Sequence, residues 1–172
     1  DDGSTDGTLD LLHGAGPKVR VIQSPREPGE YNSHQRNKGI GAAKSDWLLH
    51  MDIDERVTSL LRHEIQAAIH DIRKDGYYFR RLNFFLQREV TGSGWQNWNM
   101  IHLARRTKFR FGGKTHEACL LDAPESATGQ LNGLMWHLND STYQERILKS
   151  YAYGLVEVET LHEKNFKVRW HH

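Results

Sequence analysis

Apolar positions along the chain change period several times. Leu9, Leu11 and Leu12 follow a turn rich in Gly, Ser, Thr and Asp, and Gly14 and Gly16 stop the run, which predicts a short helix over residues 8–13. Residues 19–22 (Val-Arg-Val-Ile) predict a short strand. Residues 32–43 predict a helix, with Lys38, Ala42 and Ala43 as good helix formers. The compact apolar run 47–51 suits a buried parallel strand. Leu60, Leu61, Ile65, Ala68, Ile69 and Ile72 recur at helical spacing, predicting a helix over 58–73 with Thr58 or Ser59 as its N-cap. Further on, residues 76–85, 100–104, 116–121 and 131–138 read as strands and 122–129 as a surface loop. Residues 143–161 read as a helix with Ile147, Tyr151, Leu155 and Val158 on one face. Strands alternating with helices predict an α/β fold, a mainly parallel central sheet flanked by helices.

Length and composition narrow this picture. The 172 residues suit one domain with a real core, and 37% hydrophobic with 26% charged residues is a globular composition. The formal net charge of +1, from 23 basic and 22 acidic residues, argues against nucleic acid held by bulk electrostatics. Cys119 stands alone, which excludes an internal disulfide and a multi-cysteine zinc site and fits a reducing, cytoplasmic compartment. No apolar run approaches the ~20 residues that span a bilayer, and the chain does not open on a basic and then apolar leader. It opens on two carboxylates and closes in a partly apolar segment, Val168-Arg169-Trp170-His171-His172, so a fragment lacking a first strand and helix is expected, with the last two histidines readable as a tag remnant.

Two acidic motifs carry the chemistry. Asp52-Ile53-Asp54-Glu55 directly follows the apolar run 47–51. Ligands of open α/β sheets collect at the carboxyl ends of strands. Carboxylates two residues apart on an extended segment project to the same side. Such hard oxygen ligands suit magnesium or manganese carrying a diphosphate, where the metal offsets charge on the departing group. Taken alone, the motif reads first as a solvated acidic turn capping the next helix. The other motif is Asp1-Asp2-Gly3-Ser4-Thr5-Asp6-Gly7-Thr8, which reads as a helix N-terminus capped by Ser4, Thr5 or Asp6. Asp2, Ser4, Asp6 and Gly7 also fit the start of a calcium loop, but its twelfth position is His13 and not the bidentate Glu.

Together these motifs resemble family 2 glycosyltransferases. Residues 1–8 resemble their Asp-Asp-Gly-Ser-x-Asp-Gly-Thr signature, Gln35-Arg36-Asn37-Lys38-Gly39 their Arg-Asn-x-Gly segment, and residues 47–55 their strand with Asp-x-Asp-Glu, in family order and at about family spacing. Later, His116-Glu117, Gly133-Leu134, His137 and the helix 143–161 resemble the branch that builds lipopolysaccharide core and related glycans. That branch usually has Arg-Leu-Phe-Arg before its His-Glu, where this chain has His102-Leu103-Ala104-Arg105.

The resemblance implies a GT-A fold in a single catalytic domain over 1–172, with residues 1–57 on the nucleotide side and 58–172 on the acceptor side. It implies an inverting transfer from a nucleotide-sugar donor, UDP-linked first of all, to a glycan or lipid-linked acceptor such as lipopolysaccharide core. It implies Asp54 as metal ligand, with His137 as a further one, and Asp52 near the ribose or a metal-bound water. Asp1 or Asp2 would touch the nucleobase, and Arg36 and Asn37 would lie near base or diphosphate. Glu117, beside His116, is the expected base. Trp95 and Trp98, in a polar Gly-rich loop, are expected to stack on acceptor sugar or simply to pack. The cofactor would be manganese or magnesium. A peripheral contact with the inner face of the cytoplasmic membrane is expected, and Arg105, Arg106, Lys108 and Arg110 form a basic cluster for an anionic acceptor, a membrane face or plain solvent. The rival readings are a nucleotidyltransferase of related architecture and a non-catalytic nucleotide-sugar-binding domain.

Overall fold

The computed structural model describes residues 1–92, 98–113 and 117–167. Its helices are α1 (Thr8–Gly14), α2 (Asn32–Ala42), α3 (Ser59–Ala68) and α4 (Tyr143–Glu163). Its strands are β1 (Trp47–Leu49), β2 (Glu55–Val57), β3 (Gly76–Phe85), β4 (Arg88–Glu89), β5 (Asn99–Arg105), β6 (Phe109–Gly112), β7 (Ala118–Leu121), β8 (Thr128–Gln130) and β9 (Met135–His137). The main sheet runs β1-β5-β3-β9-β2, with β4 and β8 also paired to β3, and β6 and β7 form a separate ribbon.

The sheet is mixed, not mainly parallel. Only β8 and β9 run parallel to β3, whereas the pairs β1–β5, β3–β5, β3–β4 and β2–β9 are antiparallel. Strands on either side of a helix in sequence are not neighbours in space: β9 lies between β2 and β3, and β5 between β1 and β3. The run that opens with β1 is therefore an antiparallel edge strand, half-buried along its length and not a buried parallel one.

Two apolar layers flank the sheet. Trp47, Leu49, Tyr77, Phe79, Leu103 and Met135 meet Leu61, Ile65 and Ala68 of α3. On the other side Leu48, Tyr78, Ile101 and Ala104 meet Ile40 of α2 and Phe109 and Phe111 of β6. Alternation along β1 explains the division, since successive side chains point to opposite faces.

Thr58 caps α3 by accepting from Leu61 N (3.3 Å), as expected. The helix ends at Ala68 and not at Arg73, because Asp71 takes the Arg73 backbone N–H (3.0 Å) in a local turn that competes with helix. Gly133 seals the start of α3 to the core. Its N–H donates to Glu64 (2.7 Å), and a Cβ there would fall 2.4 Å from Leu61 Cα, so the turn tolerates no side chain. That turn also shortens the strand expected over 131–138 to β9.

Other expectations change as well. Residues 19–22 form no strand, because Ile22 O and Ser24 N bond only to Asp1 (2.7 Å each), and one partner residue does not make a ladder. The expected loop 122–129 ends in β8 beside β3. The basic cluster is dispersed. Arg105 lies over the Trp47 ring at 4.5 Å, and Arg106 donates to Ser45 O (3.2 Å). The helix α4 forms with a Thr142–Glu145 capping box, yet Ile147, Tyr151, Leu155 and Val158 are all more than half exposed. Among the described residues no helix is long and apolar enough to cross a membrane.

Candidate functional site

A cleft of about 700 Å³ opens beyond β1 and gathers residues from Asn32 to Tyr153. Arg36 of α2, Asp52 and Asp54, Arg81 and Asn83 of β3, Trp98, Glu117, His137 and Lys149 of α4 all line it. Six of the positions expected from sequence, Arg36, Asp52, Asp54, Trp98, Glu117 and His137, are thus brought together. Trp95 and His116 lie outside the described residues.

The Asp52–Glu55 segment is a turn and not an extended stretch. Glu55 N donates to Asp52 O (3.0 Å), and Asp52 N donates back to the Glu55 carboxylate (2.8 Å). Glu55 is 1% exposed, so this turn is clamped from inside the protein. Burial pushes the Glu55 carboxyl up, and the Asp52 N–H and Arg81, at 3.0 Å, hold it back. Both aspartates still border the cleft, with Ile53 90% exposed between them.

Asp52 meets Arg36 at 2.9 Å and His50 at 3.6 Å. Arg36 also lies 5.2 Å over the Phe111 ring, which fixes its plane. Asp54 faces His137 Nε2 at 3.4 Å, and the pairing of β2 with β9 brings them together by setting Glu55 opposite His137. The hydrogen bond with His137 holds the Asp54 carboxyl below the usual carboxylate range, so Asp54 is charged at neutral pH. Asn83 Oδ1 lies 2.7 Å from His137 Nδ1, which orients the ring with Nε2 toward Asp54.

A divalent cation here would be held by one carboxylate oxygen and one imidazole nitrogen, a mixed donor set. Octahedral ligands at about 2.1 Å sit ~3 Å apart, close to the observed oxygen–nitrogen spacing. Among the described residues no group of three or more His, Cys, Asp or Glu side chains could hold a metal, so phosphate oxygens and water would complete the shell.

The remaining expected residues lie elsewhere. Asp1 is engaged by its own turn, accepting from Gly3 N and Ser4 N (3.0 Å each). Asp2 pairs with Arg26 (2.7 Å), which also donates to Asn32 at the cleft rim (2.9 Å). Asn37 exchanges two hydrogen bonds with the Phe111 backbone (2.9 and 2.8 Å), tying α2 to β6.

Sequence reasoning did not single out Arg81 or Asn83, and met His102 only as the residue standing where the branch usually has an arginine. One signal for the first two was available: along β3 the face carrying Tyr77 and Phe79 changes to Arg81 and Asn83, as a strand does on leaving a core for a polar site. The position of His102 depends on a β-bulge. Tyr77 pairs with Leu103 but Tyr78 with Ile101, so His102 is the extra residue, and four consecutive positions of β5 are buried. Its ring stacks on Phe79 (5.2 Å) and His50 (5.9 Å) at the cleft floor.

Burial, and then the nearby Arg81 charge, push His102 down to about 4, so it is neutral when folded. The unfolded chain takes up this proton near pH 6.5, so stability from this ring is complete above that value and is lost as pH falls toward 4. Its contribution is on the order of 3 kcal/mol. His102→Phe keeps the ring packing and removes the proton. Between pH 6.5 and 4.5 the variant's melting temperature should fall less than the wild type's, and parallel curves would contradict this role.

The mixed α/β fold fits a GT-A-like fold. Residues 1–121 match the family model described as "Glycosyl transferase family 2". The chain belongs to that family, whose members take a nucleotide-sugar donor and an acceptor. This membership favours sugar transfer over nucleotidyl transfer.

Proposed function

We propose that the chain is an inverting glycosyltransferase that moves a hexosyl group from a nucleotide-sugar donor, UDP-linked, to a glycan or lipid-linked acceptor of the lipopolysaccharide-core kind, working on the cytoplasmic side of the membrane. The observation that carries the reading is the meeting of Asp52, Asp54, Glu117 and His137 in one cleft. The nucleotide, the acceptor and the location rest on the sequence resemblance.

Asp54 and His137 would hold a divalent cation, which when bound would offset charge on the leaving diphosphate. Arg36 and Asp52, already paired, border the donor's ribose and phosphates. Asp1 or Asp2 borders the nucleobase, and Arg26 links Asp2 to Asn32 at the cleft rim. Trp98, 47% exposed and braced by Arg81 at 5.2 Å from its ring, presents a face on which an acceptor sugar stacks. Glu117 takes the proton from the acceptor hydroxyl. That oxygen bonds to the anomeric carbon as the bond to the diphosphate oxygen breaks, and the electron pair leaves with the nucleoside diphosphate.

One displacement inverts the anomeric centre. Donor hydrolysis, with water standing in for the acceptor, should give a sugar of inverted configuration by proton NMR. Retention of configuration would overturn the single-displacement reading.

A further inference from the structure

The family match ends at residue 121, yet α4 contributes to the cleft wall. Asp140, just before α4, is 1% exposed. Lys149 Nζ lies 2.6 Å from its Oδ1 and Arg146 3.5 Å from its Oδ2. These two ion pairs carry the compensation for the buried charge. Asp140 thereby draws one face of α4 against the cleft.

Lys149 is not consumed by that pairing. Its side chain is 50% exposed and lines the cleft, and an ammonium group has three donors, of which Asp140 takes one. Lys149 lines the same cleft as Asp54 and His137. A nucleoside diphosphate gains a negative charge as it leaves the sugar and then carries more than one divalent cation offsets, so a lysine in the same cleft meets a leaving group with charge to spare.

We propose that Lys149, held in place by Asp140, binds the diphosphate of the donor and of the nucleoside diphosphate that leaves. The inference rests on the donor reading of the cleft given above and extends it to a residue outside the matched segment. Lys149 is a binding residue here and Asp140 a positioning residue.

The test is calorimetric titration, in manganese, of UDP, ADP, GDP and CDP, the matching monophosphates, and inorganic pyrophosphate. Lys149→Met should weaken the nucleoside diphosphate that binds, and pyrophosphate, by about tenfold or more, and the monophosphate by less than about twofold. Lys149→Arg should restore most of the affinity, and Asp140→Asn should weaken diphosphates selectively with circular dichroism unchanged. Equal losses for mono- and diphosphate, or no loss in Lys149→Met, would overturn the assignment while leaving the donor reading intact. Wild-type chain that is folded and binds no nucleotide would overturn both. Preserved diphosphate affinity with selective loss of a phosphorylated acceptor would assign Lys149 to the acceptor and so reject this proposal.

Discussion

Glu117→Gln should lower sugar transfer, or donor hydrolysis in its place, by about 10²- to 10⁴-fold and leave donor affinity within about twofold. The substitution keeps the shape of the side chain and removes its ability to accept a proton. Glu117 lines the cleft that Arg36 and Asp52 also border, in a half-buried position directly before β7. A group acting only at the moment of proton transfer contributes to turnover and not to ground-state binding, so kcat and kcat/KM fall together. A structural Glu117 would instead lower the melting temperature and shift KM. Full activity in Glu117→Gln would remove it as the base and leave the cleft without an assigned proton acceptor among the described residues.

Asp54→Ala should abolish manganese-dependent nucleotide binding. Asp54 is charged at neutral pH and half-buried, and it faces the one imidazole that Asn83 orients toward it. Loss of a supporting partner of a metal ligand already costs about 10–100-fold in metal affinity, and loss of a ligand itself costs at least as much. His137→Ala should show the same pattern more weakly, since an uncharged ligand offsets less of the cation's charge. Asp52→Ala should weaken nucleotide binding but leave its need for manganese intact, because its partners are Arg36 and His50 and not the metal-binding pair.

Local patterns made much of this fold legible. The helix α3 and its Thr58 cap, α4 from Tyr143, and β3 over Gly76–Phe85 follow directly from period and capping chemistry. Strand direction did not. Whether a strand runs parallel to its neighbour depends on which later strands insert beside it, and β5 and β9 are distant in sequence from the strands they separate. Boundaries failed where short-range chemistry intervened, as at Asp71 and at the Gly133 turn.

The site divides in a similar way. Asp52, Asp54, Glu117 and His137 stood out because their motifs are local in the chain. Arg81, Asn83 and His102 look like ordinary strand residues and gain their place from the change of face along β3 and from the bulge in β5. Lys149 enters the cleft only through a buried aspartate nine positions earlier. Nothing in the helical pattern of α4 marks that contact, since the apolar stripe beside it draws the eye to the opposite face.

The central claim is that the Asp54–His137 end of the cleft holds a metal-bound nucleoside diphosphate. Calorimetric titration of the chain with UDP, ADP, GDP and CDP, with and without manganese and alongside Asp54→Ala, tests it most directly. One nucleotide that binds only with manganese, and not to a folded Asp54→Ala chain, is the predicted result. Equal binding of that nucleotide to Asp54→Ala, or binding indifferent to manganese, would contradict it.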